Sequence, residues 1–311
     1  MALELVATDD GSLSIRDAET GELHHNRAGA YAEALVNYVQ PSGVLLDAGN
    51  IEARTDLYVL DSCFGLGYNS LVLLSELAAL DQTRFDAIHI IGIEQDQQVL
   101  QLIPEALKHS AFAPLRDHLD PACITAFGAT SFALGDTAVS IELVRGSIRA
   151  EIPRLSNELL AAGDLTIQAV GGRAPGWDLV FHDPFSAKHV PELWTIEFFQ
   201  CYHRLLAGRC GKLLTYSVAA AVRGGMRSAG FHVFRSTALG GKSGGTVGCV
   251  NAGPSSQPNP YIFPLTIEQS AKLDSASGIP YRDPTFAASG ADIKAQRLAE
   301  QTDWSAVQTV K

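Results

Sequence analysis

Along the chain, short apolar runs alternate with stretches of helical spacing. Residues 58–61, 88–93, 139–144, 177–182 and 212–217 read as buried strands. Between them, 70–80, 97 onward, 148–162, 192–206 and 218–229 carry apolar positions at helical intervals. Strand–helix alternation of this kind predicts a mostly parallel sheet covered on both faces. Residues 231–234 and 247–250 are expected to close it as an antiparallel pair, and 123–127 with 138–144 to form a hairpin across 128–136. Ahead of the first core strand, a turn at 8–11, an alternating stretch at 12–16 and a second turn at 19–21 predict a small β-hairpin. A helix over 28–38 comes next, with Tyr31, Leu35 and Tyr38 on one face. Residues 254–260 (Pro-Ser-Ser-Gln-Pro-Asn-Pro) read as a linker, and the remainder of the chain as a poorly patterned tail with one weak helix at 291–301. The expected organisation is an extension over 1–50, a ligand-binding α/β domain over 51–252, and a linker with tail over 253–311.

Chemistry concentrates where the first core strand ends. Asp61 is followed by Ser62, Cys63, Phe64 and the turn Gly65-Leu66-Gly67-Tyr68-Asn69, then by an apolar helix. Glycines at such a strand-to-helix turn let the backbone approach a nucleotide closely. A dinucleotide fingerprint needs a third glycine three positions after Gly67, and Ser70 stands there. A diphosphate is therefore not indicated. S-adenosylmethionine fits better: it carries an amino-acid zwitterion and a sulfonium, so Asp61 can meet the ammonium while the Gly65–Gly67 turn passes under the ribose. One βα unit later, 88–93 delivers Glu94, placed for the ribose hydroxyls, with Asp96 as the cap of the next helix. The strand over 139–144 leads to Gly146-Ser147, where many adenosine-binding methyltransferases have Gly-Asp; the Ser147 hydroxyl can accept from the adenine amino group, less strongly than an acid.

Net charge is −11, which argues against indiscriminate nucleic-acid binding, but the charge is uneven. Residues 1–61 sum to −8, whereas 145–242 sum to +5 with twelve bases, a half that would favour an anionic partner. The five cysteines show no C-x-x-C pairing and read as free thiols. His24 and His25 lack a third ligand nearby in sequence and read as turn residues, so no metal is expected. No early apolar run resembles a signal peptide and no segment is apolar enough to span a membrane, so a cytoplasmic protein is expected.

The strand over 177–182 delivers Asp183-Pro184-Phe185 to the carboxyl edge of the sheet. This resembles the [Asp/Asn]-Pro-Pro-[Tyr/Phe] element of amine and amide methyltransferases, without its second proline. A carboxylate and the Pro184 carbonyl can accept the hydrogens of an amine and aim its lone pair, while Phe185 covers a planar base or the sulfonium.

The longer string Asp183-Pro184-Phe185-Ser186-Ala187-Lys188, Pro191-Glu192-Leu193-Trp194, Leu214-Thr215-Tyr216-Ser217-Val218-Ala219, Val222-Arg223, Ala229-Gly230-Phe231 and Gly240-Gly241-Lys242 resembles the methyltransferase domain of the MnmC-type tRNA wobble-uridine modifying enzymes. Asp9-Asp10-Gly11-Ser12, His25, Gly29-Ala30, Glu33 and Pro280-Tyr281-Arg282-Asp283-Pro284 are similar to its stand-alone members. The resemblance covers about residues 8–250. It implies a Rossmann-like class I fold and S-adenosylmethionine-dependent N-methylation of the 5-aminomethyl group of wobble (2-thio)uridine. Asp183, Pro184 and Phe185 would be catalytic; Asp61, Gly65, Gly67, Asn69, Glu94 and Ser147 would hold the cofactor; Lys188, Tyr216, Arg223 and Lys242 would face substrate. The partner it implies is the tRNA anticodon stem-loop. No second dinucleotide fingerprint is present, so no flavin domain is expected and upstream wobble-uridine enzymes would supply the aminomethyl group. Methyl- or aminopropyl-transfer to a small amine, and a decayed methyltransferase-like scaffold, are the alternatives.

Overall fold

The computed structural model describes residues 3–16, 21, 23–25, 27–46, 55–80, 85–161, 167–169, 172–174, 176–238, 244–251 and 259–309. Its centre is a nine-stranded sheet. In chain order the strands are β1 (Glu4–Ala7), β2 (Leu13–Arg16), β3 (Asp56–Asp61), β4 (Ala87–Glu94), β5 (Gly128–Leu134), β6 (Thr137–Arg145), β7 (Ile167–Ala169), β8 (Gly172–Ala174), β9 (Leu179–Phe181), β10 (Lys212–Thr215), β11 (His232–Ser236), β12 (Thr246–Cys249) and β13 (Ile262–Pro264). The large sheet runs β13-β11-β12-β10-β9-β3-β4-β6-β5, with β1/β2 and β7/β8 as separate pairs. The five strands from β10 to β6 are parallel, and both flanks are antiparallel.

Strand periodicity sorts the core into two halves. Leu57 and Val59 of β3 point to one face and Tyr58 and Leu60 to the other; Ile88 and Ile90 of β4 part in the same way from Ile91 and Ile93. The first face is covered by α1 (Ala30–Ala34), which continues as a π-turn over Leu35–Val39, and by α2 (Tyr68–Ala78). The second is covered by α3 (Ile148–Ala161), α4 (Ile196–Ala207) and α5 (Ala220–Ser228). Tyr202, Phe198 and Phe199 of α4 are fully buried beneath the sheet. Thr195 caps α4 by accepting the Phe198 N–H at 3.3 Å, so the helix predicted from 192 begins instead after a 3-10 turn, Pro191–Trp194.

The N-terminal hairpin is β1 and β2 across the Thr8–Gly11 turn, and its polar motif explains its docking. Asp10 accepts from the N–H groups of Ser12 and Ala32, and the Ser12 hydroxyl accepts from the Ala30 N–H, so the turn caps α1. A Cβ at Gly29 would overlap the Asp10 carboxylate, which fixes that glycine.

Two expectations are corrected. Residues 123–127 are not a strand: Asp120 accepts the Ala122 N–H and Pro121 opens a 3-10 turn, Pro121–Ile124. The arm pairing with β6 is β5, within the stretch expected to be a loop, because an edge strand with one exposed face tolerates the Gly, Ser and Ala that mimic turn composition. The segment after 258 is also more than a poorly patterned tail. It adds β13 beside β11, then α6 (Ile267–Leu273), whose Thr266 and Gln269 form a capping box, and α7 (Gly290–Thr309). No helix among the described residues is long and apolar enough to cross a membrane.

Candidate active site

In the parallel region β3 pairs β4 on one side and β9 on the other, so the strand order reverses at β3/β9. A crevice opens at the carboxyl ends of strands at such a switch point. Asp61 ends β3, Glu94 ends β4, Gly146 and Ser147 follow β6, and Asp183 follows β9 by two residues. Four sequence-predicted positions thus reach one edge.

Asp61 is fully buried. Its Oδ2 accepts from the Ser70 hydroxyl at 2.7 Å, while Oδ1 is buried with no partner among the described residues. Burial, then the charges of Asp183 and Glu94, push its carboxyl well above the ordinary range, against the Ser70 hydrogen bond. An orphaned acceptor in an acidic, desolvated spot suits an ammonium group. At Gly65 (φ 54°) a Cβ would meet nothing within 4 Å, so the turn borders open space. The residues therefore fit the zwitterion and ribose of S-adenosylmethionine.

The other predicted cofactor residues are more engaged than expected. Glu94 Oε2 accepts the Gly65 N–H at 2.9 Å, and Oε1 accepts the N–H groups of Gln95 and Asp96 at 2.7 and 3.0 Å. It therefore fastens the glycine turn of β3 to the end of β4. Asp96 accepts the Gln98 N–H as the expected cap. Gly67 (φ 76°) caps α2, and a Cβ there would meet Phe64 and Leu71 at 2.8 and 2.9 Å, side chains of the protein itself. Ser147 is exposed, and its carbonyl accepts from Ala150 and Glu151 as α3 begins.

Asn69, predicted on the cofactor side, donates Nδ2–H to Asp183 Oδ2 at 3.0 Å. Burial raises the Asp183 carboxyl from its ordinary value, opposed by hydrogen bonds from Asn69 and Tyr38. Tyr38 is fully buried on the π-turn that extends α1, and its phenol is driven far up by burial and by the Asp183 charge. Its hydroxyl also accepts the Tyr216 N–H at 3.3 Å. The Asp183-Pro184-Phe185 loop is clamped at every residue. The Tyr216 hydroxyl donates to the Pro184 carbonyl at 3.0 Å, and Trp194 Nε1–H donates to the Phe185 carbonyl at 2.9 Å. His182 Nε2 pairs with the Leu193 carbonyl at 3.0 Å, and its Nδ1 with the Tyr202 hydroxyl at 3.0 Å. Burial holds the His182 imidazole neutral, its pKa lowered to about 3. The Phe185 ring is 39% exposed at the mouth, with His24 edge-on at 5.1 Å between centroids.

Sequence reasoning alone does not single out Tyr38, His182 or Trp194 as site residues. Trp194 lies within the motif string, and Tyr38 shows in the sequence only as one member of the apolar stripe with Tyr31 and Leu35, which does not separate a site residue from a core one.

Arg223 is the clear correction on the substrate side. It is only 2% exposed, with Nε donating to Thr246 Oγ1 at 2.8 Å, and burial lowers its pKa to about 10. It pins β12 to α5 and is not available to a phosphate. Part of the wider basic surface is also engaged: Arg149, Arg154, Arg209 and Arg227 hold Asp283, Glu151 with Glu158, Asp178 and Asp274. Lys188 is exposed beside the active edge. Lys242 lies outside the described residues.

Comparison with known proteins agrees with this geometry. Residues 111–251 match a family model described as S-adenosyl-L-methionine-dependent methyltransferase. An uncharacterized protein of Methanocaldococcus jannaschii is 25% identical over 282 residues, covering 91% of this chain and 68% of that protein. The tRNA 5-methylaminomethyl-2-thiouridine biosynthesis bifunctional protein MnmC of Cupriavidus metallidurans is 26% identical over 73% of this chain and 31% of its own length; that of Aromatoleum aromaticum is 27% identical over 76% and 34%. This chain spans about a third of those two bifunctional relatives. The crystal structure of MnmC2 from Aquifex aeolicus superposes with a TM-score of 0.69 at 25% identity, covering 97% of this chain and 86% of that one. Over residues 111–251 the chain is thus similar to S-adenosyl-L-methionine-dependent methyltransferases, and over nearly its whole length it shares the fold of MnmC2 from Aquifex aeolicus.

Proposed function

We propose that the chain methylates the nitrogen of a 5-aminomethyl group on the wobble (2-thio)uridine of tRNA. The observation that carries this reading is Asp183: a carboxylate at the switch-point crevice, desolvated, flanked by Asn69 and Tyr38, on a loop fixed at each of its three residues. An alkylammonium has a pKa of about 10.4 and must lose a proton before its lone pair can attack. A carboxyl group whose pKa is raised by burial is suited to take that proton, and the Pro184 carbonyl retains a lone pair for a second amine hydrogen. Phe185, exposed at the mouth, would cover the base, and Tyr216 acts through Pro184. Lys188 would meet a phosphate of the anticodon stem-loop.

When bound, S-adenosylmethionine supplies an electrophilic methyl on its sulfonium. Asp61 would hold its ammonium, the Gly65–Gly67 turn and Glu94 its ribose, and Ser147 its adenine edge. Asn69 orients Asp183 instead of touching the cofactor. Upstream enzymes that install an aminomethyl group on the uridine would provide the substrate.

A second reading, transfer to a small amine, is favoured by the ion pairs that engage Arg149, Arg154, Arg209 and Arg227 and by the acidic trio of Asp61, Glu94 and Asp183. Labelled methyl transfer separates the two: label should enter tRNA carrying the unmethylated aminomethyl group and not free polyamines. Label entering only the polyamines would overturn the tRNA reading. Label entering neither would favour a decayed scaffold.

A further inference from the structure

Phe286 is one of only two non-glycine residues with positive φ among the described residues, at 56°. A bulky side chain in the left-handed region persists only where its surroundings impose it, and such positions gather at ligand sites. Here the surroundings are Asp283. Its Oδ1 accepts the N–H groups of Ala287 and Ala288, each at 3.2 Å, and its carbonyl accepts the Phe286 N–H at 3.1 Å. Its Oδ2 takes Arg149 Nη2 at 2.6 Å, and the same nitrogen reaches the Ala288 carbonyl at 2.6 Å. The Asp283 N–H donates to Glu197 Oε2 at 2.8 Å, and the Ile196 N–H to the Tyr281 carbonyl at 3.0 Å.

The loop over 281–288 is thus fastened to the first turns of α3 and α4. Both turns lie at the carboxyl edge of the sheet: Arg149 stands two residues past Ser147, and α4 comes after the segment that leaves Asp183. The half-buried Phe286 ring packs against the apolar cluster shared by α3 and α4. Of the cofactor's parts, adenine alone is flat and aromatic, and Ser147 offers it contact at an edge only. Its face needs apolar cover, which aromatic rings give well.

We infer that Phe286, held by the Arg149–Asp283 pair, forms the wall against which the adenine ring of S-adenosylmethionine lies. This rests on the cofactor reading above, and it assigns a binding role to a segment outside the matched family region of 111–251. The test compares Phe286→Gly, Phe286→Leu and Phe286→Tyr in the full chain by melting and by calorimetric titration with S-adenosylmethionine. Glycine relieves the backbone strain but gives up the ring's packing on the α3–α4 cluster, so Phe286→Gly should still melt cooperatively, at a Tm close to that of Phe286→Leu, while its Kd rises about 10-fold, the scale of one lost aromatic stack. Phe286→Leu should weaken binding similarly, Phe286→Tyr should not, and competition by adenosine should weaken where competition by methionine does not. A parent that fails to bind S-adenosylmethionine would refute the cofactor reading itself. A parent that binds, with Phe286→Gly and Phe286→Leu binding equally well, would overturn this inference and leave the ring as packing.

Discussion

Replacing Asp61 by asparagine should make the protein more stable and nearly unable to bind its cofactor. The side chain is fully buried, keeps the Ser70 hydroxyl on Oδ2, and leaves Oδ1 without a partner among the described residues. Asparagine preserves the shape and the Ser70 bond while removing an uncompensated charge. A buried unsatisfied polar group costs about 1–3 kcal/mol, more when charged, so Asp61→Asn should stabilise by at least about 1 kcal/mol at neutral pH. For a chain of this size that is a rise in Tm of about 2 °C or more. The pH dependence fixes the cause. A carboxyl whose pKa is raised on folding carries no penalty below its unfolded value near 3.8, and loses stability as pH rises from there through its folded value. The advantage of Asp61→Asn should therefore appear only above about pH 4 and grow upward from it. Removing one partner of a buried charge pair costs about 2–5 kcal/mol, a loss in S-adenosylmethionine affinity of about 30-fold or more. Melting curves from pH 4 to 8 and calorimetric titration measure both effects. An Asp61→Asn protein that melts lower at pH 7, or binds S-adenosylmethionine like the parent, would refute the assignment.

On the proposed role of Asp183 toward the acceptor amine, Asp183→Ala should leave S-adenosylmethionine binding within a few-fold and lower single-turnover methylation by about 10² or more. Gly67→Val should cost about 2–4 kcal/mol of stability in a urea melt, because its Cβ would strike Phe64 and Leu71 at positive φ; the damage is to packing and not to the pocket. Lys188→Ala should reduce the log–log salt slope of tRNA binding by about 0.7–0.9, whereas Arg223→Met should leave the slope unchanged and lower the Tm.

The parallel core is legible in the sequence because strand alternation is a local property. Leu57 to Leu60 already assign their faces, and the glycine turn after Asp61 announces the ligand edge. The features that stay hidden are set by tertiary context. Arg223 carries the same charge in a string whether it meets a phosphate or lies under Thr246, and only packing decides. Asn69 follows the glycine turn directly, yet the first turn of α2 aims its amide at Asp183. Glu94 is engaged by three backbone N–H groups that no pattern could foretell. The 128–134 stretch has the composition of a loop because an edge strand needs few apolar residues, and the tail looks unpatterned because its fastening depends on Asp283 meeting Arg149, 134 residues away.

The most direct test of the account is the nucleoside composition of tRNA after reaction. Undermodified tRNA bearing 5-aminomethyl-uridine is incubated with the purified chain and S-adenosylmethionine, digested to nucleosides and analysed by mass. The account predicts that the wobble nucleoside becomes heavier by one methylene, that fragmentation locates the added methyl on the side-chain nitrogen, and that Asp183→Ala suppresses the change. An unchanged wobble nucleoside, or a methyl located on the base or ribose, would contradict it.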